Sequence, residues 1–165
     1  MYTISVLMST YNGERYLRQQ IDSILRQEGV KIQLLVRDDG STDNTPDILN
    51  SYAKKGLLKW YQGANLKSAR SFLTLLKDSG RCDYYAFADQ DDYWETDKLK
   101  VAVEQLQDYG EETYALYLAQ PQAVDQELKP LPTTQFKPLN TFGESLVYRF
   151  AMGCTMVINN KLREV

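Results

Sequence analysis

The sequence predicts an α/β fold in which a mostly parallel sheet carries helices on both faces. Two observations carry this. Short apolar runs rich in β-branched residues alternate with longer segments whose apolar residues recur at helical spacing. Strands separated in this way by helices close as parallel βαβ units. A third observation, the length of 165 residues, favours a single domain. A chain of this size buries roughly 68–70% of the surface that its unfolded form exposes. Neither a disulfide nor a structural metal is then needed to hold it.

Taken in order, Ile4 to Ser9 is the first strand, a short apolar run expected to be buried. Glu14 to Gln27 places Leu17, Ile21, Ile24 and Leu25 on one helix face. Ile32 to Val36 is the second strand. Thr45, Pro46 and Asp47 read as N-cap, first-turn proline and first-turn acid of a helix running to Ala53. Leu57 to Tyr61 is the third strand. Ser68 to Lys77 is the third helix, with Phe72, Leu73 and Leu76 on one face. Tyr84 to Ala88 is the fourth strand. Thr96 to Gln107, with Leu99, Val103 and Leu106 in register, is the fourth helix, and Tyr114 to Ala119 the fifth strand. Beyond residue 120 the pattern weakens. Pro121, Pro130, Pro132 and Pro138 interrupt a loop from Gln120 to Asn140, and long loops in compact domains are usually functional or mobile. Thr141 to Phe150 then reads as a helix and Cys154 to Ile158 as a strand.

Composition excludes several function classes. The formal net charge is −3, with no basic cluster to grip a phosphate backbone, so no nucleic acid partner is expected. The absence of histidine removes Ser-His and Cys-His nucleophiles and any histidine-based zinc site. Cys82 and Cys154 lie far apart in no metal-ligand spacing and read as free thiols of a reducing compartment. No apolar run approaches the roughly 18–20 residues that span a bilayer. Met1-Tyr2-Thr3 enters a strand at once, so no signal peptide is expected and a cytoplasmic location is. The twelve tyrosines offer flat area with a hydroxyl, suited to stacking on a base or sugar or to half-exposed packing.

Ligands of open α/β sheets bind beyond the carboxyl ends of the strands, so the residues after each strand matter most. After the fourth strand stands Asp89-Gln90-Asp91-Asp92, three carboxylates in four residues. Such acids repel one another unless a cation sits among them, and their hard oxygens suit Mg²⁺ or Mn²⁺. A solvated turn with surface acids is the alternative. After the second strand, Asp38 and Asp39 offer acceptors for a base N–H or a ribose hydroxyl. The same residues equally form a turn, with Gly40 at positive φ and Asp43 or Thr45 capping the next helix. Ser9-Thr10-Tyr11-Asn12 offers a backbone edge and a ring beside a planar base, or simply a strand end. Asn65, Lys67 and Arg70 lie near the start of the third helix, a natural diphosphate site or plain surface charge. Trp94 is either a wall against a sugar face or a core residue. A dinucleotide-binding domain would need Gly-x-Gly-x-x-Gly after the first strand, where only Gly13 stands. A sugar-nucleotide pyrophosphorylase would need a Gly-rich phosphate loop and basic residues near the N-terminus, and neither is present.

Three stretches together carry a resemblance. Ile4-Ser5-Val6-Leu7-Met8-Ser9-Thr10-Tyr11-Asn12, Val36-Arg37-Asp38-Asp39-Gly40-Ser41-Thr42-Asp43 and Ala88-Asp89-Gln90-Asp91-Asp92-Tyr93-Trp94 resemble the family 2 glycosyltransferases of GT-A fold. Asn65 to Phe72 and Met152 to Val157 fit the same pattern. The Asp89-to-Trp94 segment is most similar to bacterial rhamnosyltransferase-type members, which build cell-surface polysaccharides. The resemblance covers nearly the whole chain, residues 1–165. It implies a Rossmann-like nucleotide-binding half over 1–120 and the start of an acceptor-binding part over 121–165.

The resemblance also implies roles. Thr10 and Tyr11 would line the nucleobase pocket, Asp39 would bond the base, and Asp38 would support that loop. Asn65 and Arg70 would lie near the nucleotide. Asp89 would meet the ribose or the metal, and Asp91 would be the main metal ligand, with Asp92 beside it. The DXD-type acids would hold Mn²⁺ or Mg²⁺. The expected reaction is inverting transfer from a UDP- or dTDP-linked sugar to a hydroxyl of a saccharide or lipid-linked acceptor, with peripheral association at the inner membrane face left open. The alternative is a nucleotide-sugar-binding domain without transfer activity. Family members carry an acidic base after the Gly-Cys strand. Glu144 and Glu164 match no such motif, so the base is expected beyond Val165 in a longer chain.

Overall fold

The computed structural model describes residues 1–132 and 152–165. Along the chain come β1 (Thr3–Thr10), α1 (Leu17–Leu25), β2 (Lys31–Asp38), α2 (Thr45–Ala53), β3 (Lys59–Gln62), α3 (Ser68–Asp78), β4 (Tyr84–Ala88) and α4 (Lys98–Leu106). A 3₁₀ turn (Gln107–Tyr109), β5 (Leu116–Leu118), a second 3₁₀ turn (Gly153–Thr155), β6 (Met156–Asn159) and the four-residue helix α5 (Asn160–Arg163) complete them. The expected helix over residues 141–150 lies outside the described residues.

The sheet has six strands in the order β3-β2-β1-β4-β6-β5. β1 sits near the middle and is apolar enough to be buried on both faces, as a parallel strand must be. Ile4, Val6 and Met8 join α1, α2 and α4 in one core. Leu7 faces the other way, into a smaller cluster with Leu75 of α3 and Tyr85 of β4. The side switch has a topological cause. The chain steps outward from β1 to β2 to β3, then reverses past β1 to reach β4. Right-handed crossovers place the helix of the reversed step on the opposite face. The reversal also opens a crevice between β1 and β4, the place where such sheets bind ligands.

The parallel register brings the four loops level. Thr10 lies beside Asp38, Asp38 beside Gln62, and Met8 beside Ala88. The fifth strand corrects the expected run of parallel pairs. β5 does not touch β4; β6 lies between them and runs antiparallel to both. Strand-like patterning marks a segment as extended and says nothing about its partner or direction. Cys154, expected in that last strand, instead lies in the 3₁₀ turn before it. Thr45, expected as an N-cap, is the first residue of α2 after the cap Asn44. Its hydroxyl accepts instead from Gly13 N at 2.9 Å, and Asp43 takes the Thr45 N–H at 3.0 Å. Among the described residues no helix is long and apolar enough to cross a membrane.

Candidate functional site

At the end of β2, Asp38 is fully buried and Asp39 is 3% exposed. The Asp38 carboxylate accepts from Ser41 N at 3.1 Å, from the Ser41 hydroxyl, and from Gln62 Nε2 at 2.9 Å. Gly40, at φ +84°, turns the chain so that Ser41 can reach back. Asp39 pairs with the buried guanidinium of Arg37 and accepts from Ser71 Oγ and Leu66 N, both at 3.1 Å. Arg37 also donates to Ala64 O at 2.8 Å. Both acids therefore sit in a satisfied polar network, which holds the loop in one shape. Turn and ligand-loop readings of this segment are compatible. Arg37 was not among the expected site residues, and a lone cation before two acids at a strand end is the signal that marks it.

The β1 loop lies between the two acidic loops. Thr10 is buried and its carbonyl accepts from Asp39 N at 2.8 Å. Asn12, at φ +48°, donates its N–H to Ser41 Oγ at 2.8 Å and accepts from Thr42 N at 2.9 Å. On the other side stands Gln90. Its Oε1 accepts from Thr10 Oγ1 at 2.6 Å and from Tyr11 N at 2.8 Å, and its Nε2 donates to Tyr11 O at 3.2 Å. The backbone N–H and C=O of Tyr11 thus both bond a side-chain amide. The Tyr11 ring remains 47% exposed. Asn65 accepts from Lys67 N at 3.1 Å, and Arg70 is exposed in the first turn of α3.

The β4 loop is different in kind. An oxygen of Asp89, an oxygen of Asp92 and the Cys154 sulfur lie within 4.8 Å of one another. Asp92 Oδ2 is buried with no hydrogen-bond partner. Burial, then the charges of Asp92 and Asp91, push the Asp89 carboxyl above its usual range. Burial does the same to Asp92, against the opposing pull of the Cys154 thiol and the Lys98 charge. Burial and the two acids raise the Cys154 thiol to about 12, so the carboxylates are the charged donors of the group. Lys98 supplies compensating positive charge to both acids. Its ammonium donates to Cys154 O at 2.7 Å and lies 3.7 Å from the centre of the Trp94 ring, and burial lowers its pKa to about 8. Trp94 is a core residue, 2% exposed, that also borders the cleft.

The cleft holds about 1020 Å³ and is bounded by Tyr16 before α1, by Asp91, Asp92 and Lys98, and by Tyr117 and Cys154. Asp91 is exposed there and is not one of the three clustered ligand atoms. The unpartnered oxygen of Asp92 and two carboxylates held above their normal pKa fit a hard divalent cation. Cys154 and Lys98 escaped the sequence reading because each lies far along the chain from one of its partners. The fold joins them.

An α/β sheet with its acidic loop at the β1/β4 crevice is the arrangement of the GT-A glycosyltransferases. The chain belongs to glycosyl transferase family 2, whose model matches residues 5–164. It is 36% identical over 103 residues to the dTDP-rhamnosyl transferase RfbG of Shigella flexneri, covering 59% of this chain and 36% of that protein. The structure is similar to crystalline S. aureus TarS in complex with UDP, with a TM-score of 0.72 and 25% identity over 95% of this chain and 46% of that one. It also resembles the mannosyltransferase PcManGT of Pyrobaculum calidifontis in complex with GDP-Man and Mn²⁺, with a TM-score of 0.58 and 25% identity over 63% of this chain and 32% of that one. The chain thus spans less than half the length of each.

Proposed function

We propose that this chain binds a nucleoside-diphosphate sugar and a divalent cation and serves an inverting glycosyl transfer, in bacterial cell-surface polysaccharide synthesis. The observation that carries the proposal is the buried, under-compensated acid group at the β1/β4 crevice. Two carboxylates kept above their usual pKa by burial, and to a lesser extent by neighbouring acids, favour a cation partner. Asp89 and Asp92 would hold Mn²⁺ or Mg²⁺, with Asp91 reaching it from the cleft rim. A cation bound there would offset the negative charge that develops on a leaving nucleoside diphosphate.

The remaining roles fall to the chain itself. The exposed Tyr11 ring offers a stacking face for the base. Asp39 can take a base N–H only as an additional donor, since both its oxygens already accept. Asp38 shapes the loop. Arg70 and Asn65 border the nucleotide at the start of α3. The donor is a UDP- or dTDP-linked sugar, in keeping with the UDP held by TarS and the name of RfbG. Residues 1–120 form the donor half, and residues 121–165 begin the acceptor side for a saccharide or lipid-linked hydroxyl. The free thiols Cys82 and Cys154 fit a cytoplasmic setting, at the inner face of the membrane where such acceptors are presented.

Calorimetric titration of Mn²⁺ with UDP or dTDP into the wild type and into Asp91→Ala tests the reading. Metal-dependent nucleotide binding is expected in the wild type and is expected to weaken in the variant. Equal binding by both proteins removes Asp91 from the site, and no binding by the wild type overturns the proposal.

A further inference from the structure

We infer that Gln90 is a positioning residue that couples the cation group of the β4 loop to the nucleoside-facing β1 and β2 loops; the inference rests on the donor-binding reading above. Gln90 stands at the crevice, where the chain reverses past β1. Within the loop it is flanked by Asp89 and Asp91, so any adjustment of those acids around a cation moves its backbone. Its amide grips both peptide groups of Tyr11 and the hydroxyl of Thr10. From Tyr11 the connection continues without a gap. Asn12 N bonds Ser41 Oγ, Ser41 bonds Asp38, and Thr10 O takes the N–H of Asp39. One amide side chain therefore links the acidic turn of β4 to the loop that carries the stacking ring and to both acids of β2.

The packing around the amide is tight enough to give the link a defined geometry. A methyl group placed on Gly13 would lie 2.4 Å from Gln90 Oε1 and 2.8 Å from Thr10 Oγ1. The amide thus occupies the space that any larger residue at position 13 would claim. Gly13 N is itself held by Thr45 Oγ1, so the loop cannot simply swing away. A β1 loop fixed on one side by the β2 loop and on the other by Gln90 moves only when one of these holds moves.

Linkage makes this testable without turnover. A nucleoside lacks the phosphates that would bridge directly to a cation, so the mutual effect of uridine or thymidine and Mn²⁺ that Gln90 controls is read as the part lost when its hydrogen bonds are removed. If Gln90 couples the sites, each ligand tightens the other by the same factor, about fivefold or more. Nucleoside affinity is measured by calorimetry with and without Mn²⁺, and Mn²⁺ affinity by the paramagnetic resonance of the free ion with and without nucleoside. In Gln90→Met, which keeps the volume and loses the three hydrogen bonds, each ligand should still bind alone while the factor falls to about one. Gly13→Ala, which displaces the amide from the opposite side with the β4 loop sequence intact, should give the same loss. Coupling absent from the wild type, or surviving in both variants, overturns the inference. Weaker binding of both ligands with an unchanged factor also overturns it, since Gln90 would then be structural only. A wild type that binds neither Mn²⁺ nor UDP fails the donor-binding reading, and the inference falls with it.

Discussion

Asp38-Asp39 closes β2 and Asp89-Gln90-Asp91-Asp92 follows β4, at one level on one edge of the same sheet, yet the two acidic loops are in opposite electrostatic states. In the β2 loop every buried carboxylate oxygen is matched, by Arg37, Ser71, Leu66, Ser41 and Gln62. In the β4 loop Asp92 Oδ2 is buried without a partner, and Asp89 and Asp92 are both held above their usual range by burial. A matched carboxylate is part of the scaffold, and removing it exposes its partners. An unmatched one keeps an acceptor free for a ligand. On the proposed reading, similar residues serve mainly shape in one loop and cation binding in the other, and the difference lies in their donors.

The same substitution applied to each loop gives the sharpest test. Asp39→Asn leaves the Arg37 guanidinium buried without its charge partner, which costs about 3–5 kcal/mol in comparable cases. Urea denaturation should show that loss as a lower midpoint at unchanged slope. A loss below about 1 kcal/mol would mean that Arg37 finds other acceptors and that the β2 loop is not scaffold. Asp92→Asn should act with the opposite sign. Without metal it removes a largely buried charge, one of whose oxygens has no hydrogen-bond partner, and should raise stability by about 1 kcal/mol. Added Mn²⁺ should stabilise the wild type and leave this variant unmoved. A destabilised Asp92→Asn protein would erase the contrast between the loops.

The smallest effect concerns an acid outside both. Asp22 of α1 accepts from the Tyr52 hydroxyl at 2.7 Å, which joins α1 to α2. Burial and this carboxylate raise the Tyr52 phenol from 10.0 to about 12. Because the folded value lies above the unfolded one, the stabilisation is complete below about pH 10 and is lost as pH rises from there toward 12. Tyr52→Phe should cost about 0.5–1 kcal/mol at neutral pH and flatten the alkaline limb of a stability-against-pH curve. An alkaline limb that persists unchanged in the variant would assign the effect to another group.

Much of the fold was legible because it rests on local pattern. The alternation of Ile4-to-Ser9-type runs with amphipathic segments such as Leu17 to Leu25 marks parallel units, and positions after each strand follow from that. The acids at 38, 39 and 89 to 92 were placed at the ligand edge for the same reason. Errors cluster where geometry depends on a distant partner. Thr45 follows the cap Asn44, and its hydroxyl holds Gly13 N, 32 residues away, instead of capping its own helix. β6 pairs between β4 and β5 although it follows both in the chain.

Residue order alone decided which segments are strands, which way β1 to β4 run, and that two acidic turns share an edge. Period and turn chemistry are short-range properties, so the chain carries them in full. Tertiary structure decided which carboxylates are answered. Gln62 reaches Asp38 and Ser71 reaches Asp39 through strand register, while Cys154 joins Asp89 and Asp92 because an antiparallel strand folds back beside β4. The state of a buried charge depends on atoms within a few ångströms in space, and those come from anywhere along the chain.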